Sequence, residues 1–340
     1  MFVSKPLRNV KNGKMDRRQL IKGVAITATG AFVASLAPGT APAFAQTQTA
    51  KPKKGLQAVC WQHISRSGID VVKSRDFFTD LFAMECTWFT TETSGCAVTF
   101  GEQAALNDGE WNNIYIRKFN PKVGHPSLDH MAFGIEHFDL DKTAAIIKSL
   151  GYTPTYDGPV MWTVKGPDGW VAQPAALVGG WPGPSGITAG ATIYEGYKDL
   201  PSLPHPLAPL LKFPGHALRA IGAVVSLKVT DVAKTRDFYT SLLGLKVSAE
   251  KPGACFLRFG RYNGLLLGKS DKGDNLTYSD HLTIIVADYK PENVEEELAR
   301  RNLNAQKDPQ APAYTFVDLD GLTNKVAGTE ILEGKRGLAT

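Results

Sequence analysis

The sequence predicts an α+β protein built from four βαβββ units paired into two domains. Three observations carry this. First, a strand of alternating apolar and small or polar residues running into a helix start is written four times, at His63–Asp70, Leu128–Asp139, Val224–Asp231 and His281–Asp288. Second, Lys73–Thr79 (Lys-Ser-Arg-Asp-Phe-Phe-Thr) matches Lys234–Thr240 (Lys-Thr-Arg-Asp-Phe-Tyr-Thr), so the body holds two long copies of one pattern. Third, residues 177–216 between the copies are rich in Gly and Pro and cannot continue a helix or a central strand. Internal repeats of this kind fix the architecture before any single element is read.

Residues 1–45 read as a leader outside the fold. Asp16–Lys22 (Asp-Arg-Arg-Gln-Leu-Ile-Lys) resembles the twin-arginine (Tat) export motif, with Asp16 for Ser/Thr and Leu20 for Phe. A weakly apolar run from Gly23 to Ala37 follows, too short to anchor in a bilayer. Ala43-Phe44-Ala45 then supplies a small-x-small cleavage pattern. The resemblance implies recognition by the Tat export machinery, removal of the leader, and a periplasmic or secreted protein with no membrane attachment after cleavage. The sequence pI near 8.9 invites a nucleic-acid or membrane partner. However, seven Lys and Arg stand against Asp16 in the leader, leaving the rest of the chain one charge negative. The body therefore lacks the electrostatic footprint of a nucleic-acid binder.

Residues 46–56 are a polar, Lys-rich lead-in, and the first copy spans residues 57–176. In its first unit Asp70 caps a helix whose buried stripe is Phe77, Phe78, Leu81 and Phe82. Strands are expected near Cys86–Thr91, Cys96–Gly101 and Asn113–Phe119. In the second unit Met131, Phe133 and Ile135 alternate with His130, Ala132 and Gly134, a half-apolar strand. A helix over Leu140–Leu150 follows, stopped by Gly151, and the unit ends near Ala175. The second copy spans residues 217–328, with units starting at Val224 and His281, and residues 329–340 form a tail. His63 to Val224 is an offset of 161 and His130 to His281 is 151, so the first copy carries ten extra residues, expected in the 103–112 loop. Cys60, Cys86, Cys96 and Cys255 show no metal-knuckle spacing. A Cys86–Cys96 disulfide across a hairpin and four free buried thiols are both open.

Three of the four strand starts carry His. Ile64, Met131, Val225 and Leu282 begin the apolar faces, so His63, with Ser65 and Ser67, and His130, with Ala132 and Gly134, point the other way. Small and polar neighbours suit a metal or ligand cleft. His281 lacks such partners and reads as structural. His125 and His137 lie at strand edges, and His205 and His216 fall in the linker.

The strand-start His, the Asp seven residues later (Asp70, Asp231, Asp288), the Arg-Asp-Phe-Phe/Tyr helix and the Asp-Gly turn before a last strand (Asp168-Gly169, Asp320-Gly321) together resemble the vicinal oxygen chelate (VOC) superfamily. This superfamily includes glyoxalase I, bleomycin-resistance proteins and type I extradiol dioxygenases. The resemblance implies two glyoxalase-like VOC domains, each folding curved strands around a cleft. It implies metal ligands at strand starts and five residues after the Asp of Asp-Gly. Carried over, the set is His63, His130 and Gln173 in the first domain. In the second it is Val224, His281 and Lys325, a degenerate set that cannot hold a metal. The implied cofactor is a divalent ion, Fe(II) first, with Mn(II), Zn(II) or Ni(II) as alternatives. Gln173 stands where a two-His-one-carboxylate site has its acid.

The last strand of unit one lacks the glyoxalase-type Glu, but Asn113, Tyr115 and Arg117 share a face there. Tyr115 as a proton or hydrogen-bond donor and Arg117 as the holder of an anionic substrate group are the candidate catalytic residues. Two functions stay open. One is a metal-dependent enzyme, dioxygenase-like or glyoxalase-like, acting on a small substrate that chelates through adjacent oxygens. The other is a metal-free ligand-binding or sequestering protein of the bleomycin-resistance type, with Trp61, Trp88, Trp162 and Trp170 available to line its cleft. Oligomeric state has no signature in the sequence.

Overall fold

A computed structural model describes residues 55–90, 95–101, 112–158, 160–177, 218–271, 279–309 and 311–333. The leader, most of the lead-in and linker, the 102–111 loop and the end of the tail lie outside the described residues, and with them every expectation about export.

The first copy forms β1 (Ala58–Gly68), α1 (Val71–Phe82), β2 (Glu85–Thr90), β3 (Gly95–Phe100) and β4 (Asn112–Lys118). It continues with β5 (Leu128–Ile135), α2 (Leu140–Ser149), β6 (Thr155–Tyr156), β7 (Trp162–Lys165) and β8 (Val171–Ala176). The second copy repeats the order. It gives β9 (Ala220–Val229), α3 (Val232–Leu243), β10 (Lys246–Lys251), β11 (Ala254–Phe259) and β12 (Asn263–Lys269). Then come β13 (His281–Val286), α4 (Pro291–Arg300), β14 (Gln306–Lys307), β15 (Ala313–Val317) and β16 (Thr323–Ala327). Each copy makes one eight-stranded mixed sheet, ordered β2-β3-β4-β1-β5-β8-β7-β6 and β10-β11-β12-β9-β13-β16-β15-β14. The two units of a copy join through an antiparallel central pair, β1 with β5 and β13 with β9. The protein is thus α+β, four βαβββ units paired into two sheets.

Local chemistry explains the helix starts. Asp70 accepts from the Val72 and Lys73 amides, Asp139 from Lys142 and Asp231 from Lys234, each closing a helix N-terminus. The fourth unit departs from the expected pattern. Asp288 is not a cap but a turn residue at φ 49°, a left-handed position that Asp tolerates, and α4 starts three residues later, at Pro291 after Lys290. The extra length of the first copy also divides. Strand starts show two residues more between β2 and β3 and eight more between β3 and β4.

The two sheets share one apolar core. Trp61 sits at its centre, fully buried, its ring against Phe133 (4.9 Å) and Phe259 (4.7 Å) and its Nε1 donating to Ala223 O of the second copy. The Asp-Gly turns lock the copies reciprocally. Asp320 reaches the end of β1, accepting from Ile69 N, Ser74 Oγ and Arg66 Nη2, all at 2.7 Å. Arg66 is itself fully buried and also pairs with Asp318 at 2.9 Å. In the mirror position Asp168 accepts from the amide and hydroxyl of Thr230 at the end of β9. Both turns therefore cap the strand-to-helix junction of the other copy.

Candidate metal centre

The site lies on three neighbouring strands of the first sheet, β1, β5 and β8. Register sets His63 opposite Ala132, Ala132 beside Gln173, and His130 opposite Ser65, which places all three expected ligands on one face. The two imidazoles meet: Nε2 of His63 lies 3.1 Å from Nε2 of His130, with the rings nearly perpendicular.

Two β-bulges aim them. The β1–β5 ladder pairs Trp61 with Phe133 and then His63 with Ala132, leaving Gln62 as an extra residue. It pairs Ser65 with His130 and then Arg66 with Leu128, leaving Asp129 extra. Each bulged residue turns its side chain to the following histidine. Gln62 Oε1 is 2.5 Å from Nδ1 of His63, which makes Nδ1 the protonated nitrogen. Asp129 Oδ1 lies 3.1 Å from Nδ1 of His130, close but off the hydrogen-bond direction. An acceptor behind Nδ1 leaves the Nε2 lone pair free, the arrangement metal-ligating histidines use. Neither Gln62 nor Asp129 was expected from the sequence. The signal was an acceptor immediately before each strand His, present as Gln62-His63, Asp129-His130 and Asp280-His281.

Electrostatics keep both rings neutral. Burial, then the neighbouring His130 and the Arg117 charge, holds His63 well below the ordinary imidazole range. Burial and Arg117 lower His130 to about 4, with Asp157 opposing. Two neutral rings with converging lone pairs repel unless a proton or a metal lies between them. The 3.1 Å separation is what two nitrogens each about 2.1 Å from one ion span at roughly a right angle.

Gln173 is buried; its Nε2 donates to Asp157 Oδ2 (2.6 Å) and to Thr163 Oγ1 (3.2 Å). Those bonds fix which end is the amide nitrogen, and the carbonyl Oε1 is left buried with no hydrogen-bond partner. An orphaned buried acceptor costs about 1–3 kcal/mol unless something fills it. Two neutral imidazoles and a neutral carbonyl oxygen fit a divalent ion of borderline character. Among the described residues no three His, Cys, Asp or Glu side chains gather as a metal-binding group.

Tyr115 and Arg117 sit beside Ser65 and Ser67 on the same face. The Tyr115 ring lies edge-on to His63 at 6.0 Å, and burial raises its phenol above the usual value, so it stays protonated. Arg117 forms an ion pair with Asp129 and so stands behind His130. Two of the four tryptophans offered as cleft residues are buried in the core. Trp61 and Trp170 are core residues and Trp162 donates to Leu140 O, while the Trp88 side chain lies outside the described residues.

The second sheet repeats this layout with different chemistry. His281 donates from Nδ1 to Asp280, and Lys325, in the position of Gln173, pairs with Asp308 at 2.9 Å, in the position of Asp157. Asp280, His281, Lys325 and Lys228 line a cleft of about 260 Å³. An ammonium occupies the place of the third ligand. His125 and His137 are exposed and outside both sites.

No protein-family model and no curated protein matches the chain. Solved structures do match in fold. The Mn(II)-bound glyoxalase from Novosphingobium aromaticivorans aligns at 12% identity and TM-score 0.57, covering 81% of this chain and 83% of that one. The 2,3-dioxygenase LapB from Pseudomonas sp. KL28 aligns at 12% identity and TM-score 0.53, covering 81% and 93%. Homoprotocatechuate 2,3-dioxygenase from Arthrobacter globiformis aligns at 12% identity and TM-score 0.54, covering 82% of each chain. The paired βαβββ architecture is that of glyoxalases and extradiol dioxygenases, a VOC-type fold.

Proposed function

We propose that this chain is an exported, metal-dependent enzyme of the VOC superfamily, acting on a small substrate that binds through adjacent oxygens. The observation that carries the reading is the meeting of Nε2 of His63 and Nε2 of His130 at 3.1 Å on one face of the sheet, with Gln62 at Nδ1 of the first ring and Asp129 beside Nδ1 of the second. His63, His130 and the carbonyl of Gln173 would hold the ion, Fe(II) first, with Mn(II), Zn(II) or Ni(II) as alternatives. When bound, such an ion supplies Lewis-acid polarisation of substrate oxygens.

The chain's own groups do the rest. Gln62 holds the His63 ring through Nδ1, Asp129 lies beside Nδ1 of His130, and Arg117 pairs with Asp129. Asp157 and Thr163 hold the Gln173 amide nitrogen, which leaves its carbonyl oxygen buried without a hydrogen-bond partner. Tyr115, protonated at neutral pH and beside His63, is the candidate donor to a substrate oxygen. Arg117, being committed to Asp129, acts on substrate through the charge it adds beside the site rather than as a free clamp. Three neutral protein donors leave the ion's full charge for substrate, which suits an anionic chelating ligand such as an enolate or a catecholate.

Metal analysis tests this directly. Protein recovered from its native compartment should carry one divalent ion per chain, and His63→Ala or His130→Ala should abolish it while His281→Ala should not. Wild-type protein that takes up none of Fe(II), Mn(II) or Zn(II) in a calorimetric titration would overturn the reading. The leader is tested separately: replacing Arg17 and Arg18 with Lys should leave precursor in the cytoplasm, and unchanged export would refute the route.

A further inference from the structure

A second cleft lies where the start of β1 meets the β10–β11 hairpin of the second copy. It encloses about 750 Å³, within the range of small-molecule sites. Two glycines build it. Gly260 (φ +54°) brings the chain so close to Val59 that a Cβ would fall 1.9 Å from Val59 O. Gly244 (φ +68°) leaves a Cβ only 2.7 Å from Leu56 O. Both positions take the left-handed conformation that glycine tolerates without strain. Leu56 N donates to Leu242 O, fixing the first-copy wall, so the cleft is preformed.

Its charge is one-sided. Lys246, Arg258 and Arg261 line it, and among the described residues no Asp or Glu does. Lys246 and Arg258 are direct cross-strand partners in the antiparallel ladder. Like charges placed opposite each other in this way destabilise a sheet. Neither has a carboxylate partner among the described residues; Arg258 donates only to Arg261 O, which orients its guanidinium. The carbonyls at the C-terminal end of α3 do not supply the missing negative charge, since Leu242 O and Thr240 O already accept from Leu56 N and Gly244 N. An oxyanion bridging Lys246 and Arg258 would remove the repulsion and use the planar Arg fork.

We propose that this cleft is a binding site for a small molecule bearing two or more phosphate groups, held by Lys246, Arg258 and Arg261. It is independent of the histidine site. The test is calorimetric titration of the full chain with sodium tripolyphosphate at fixed ionic strength, with sodium sulfate as the control for simple charge. Saturable binding of tripolyphosphate, at least tenfold tighter than sulfate, is expected. Lys246→Gln and Arg258→Gln should each weaken it at least tenfold, and His63→Ala should leave it unchanged. Without ligand, Lys246→Gln should melt no lower than the wild type, because it removes one of two opposed cations. Equal binding by the variants, or binding no tighter than sulfate, would overturn the proposal. So would a lower melting temperature for ligand-free Lys246→Gln, which would make the cation pair structural.

Discussion

Replacing Gln173 with Glu puts the third-ligand assignment under direct strain. In the wild type the Gln173 amide donates to Asp157 Oδ2 at 2.6 Å. Glutamate keeps the reach but replaces the donor with a second carboxylate facing the first. Two unit charges about 4 Å apart repel by about 4 kcal/mol at an effective dielectric of 20. Asp157 is exposed, so solvent screening cuts this to about 1–3 kcal/mol. Loss of the amide hydrogen bond adds about 1 kcal/mol. For a protein of this size each kcal/mol lowers the melting temperature by about 2–4 °C, so the metal-free variant should melt roughly 5–10 °C lower at neutral pH.

Protonating either carboxylate removes the repulsion, so the deficit should shrink as the pH falls into the carboxylate range. A divalent ion does the same by another route. The new charge should tighten binding, and chelator-stripped Gln173→Glu protein should reload at lower metal concentration than wild type and recover its melting temperature. The assay is thermal melting of both proteins, with and without Mn(II) or Zn(II), between about pH 4 and 7. Two results would refute the reasoning. One is a metal-free variant as stable as wild type, which would break the Gln173–Asp157 contact. The other is a variant rescued by low pH but not by metal, which would make Gln173 a structural amide.

Three further outcomes follow from the same geometry. His130 is lowered to about 4 and His63 is lowered too, so both gain protons on unfolding; stability should be fullest above pH 6.5 and fall by about 3 kcal/mol for His130 alone as the pH drops towards 4. Urea melts of metal-free His130→Ala should show a flatter profile, and an unchanged slope would contradict the neutral-ring assignment. Asp320→Ala strips a partner from buried Arg66 and should cost about 3–5 kcal/mol, against about 1 kcal/mol for Asp168→Ala, whose partner Thr230 is exposed; equal losses in denaturant titrations would dismiss the Asp320 clamp. Cys60, Cys86, Cys96 and Cys255 are buried free thiols, and burial raises Cys96, so a thiol reagent should titrate none in the native protein and four after denaturation. Two after denaturation would mean that Cys86 and Cys96 oxidise.

Much of the site's placement was readable from periodicity. Strand parity put His63 and His130 on the face opposite Met131 and Phe133, and the ladder agrees. The Asp-Gly spacing, through the family resemblance, picked out Gln173, and register sets it in the same row as His63. Asp157 was not readable. It follows a strand of two residues, β6, too short to show any period, and it matters only because β7 and β8 carry Thr163 and Gln173 to it. That Trp61 and Trp170 belong to the core was unreadable for a related reason. Composition counts tryptophans but does not say that Trp61 faces Phe259 of the other copy.

By itself, then, the sequence determined the fourfold repeat, the capping aspartates and the face on which each histidine stands. These are local properties, set by the two-residue period of a strand and by side chains bonding amides two or three positions away. Only the tertiary structure decided that the two Nε2 atoms meet at 3.1 Å, that bulges turn Gln62 and Asp129 onto the rings, and that each Asp-Gly turn crosses to the other copy. The meeting of the histidines and the two turn contacts join residues 62 to 254 positions apart. They depend on which strands become neighbours and in what register, which is fixed by burying the shared core around Trp61 and not by any one segment's pattern.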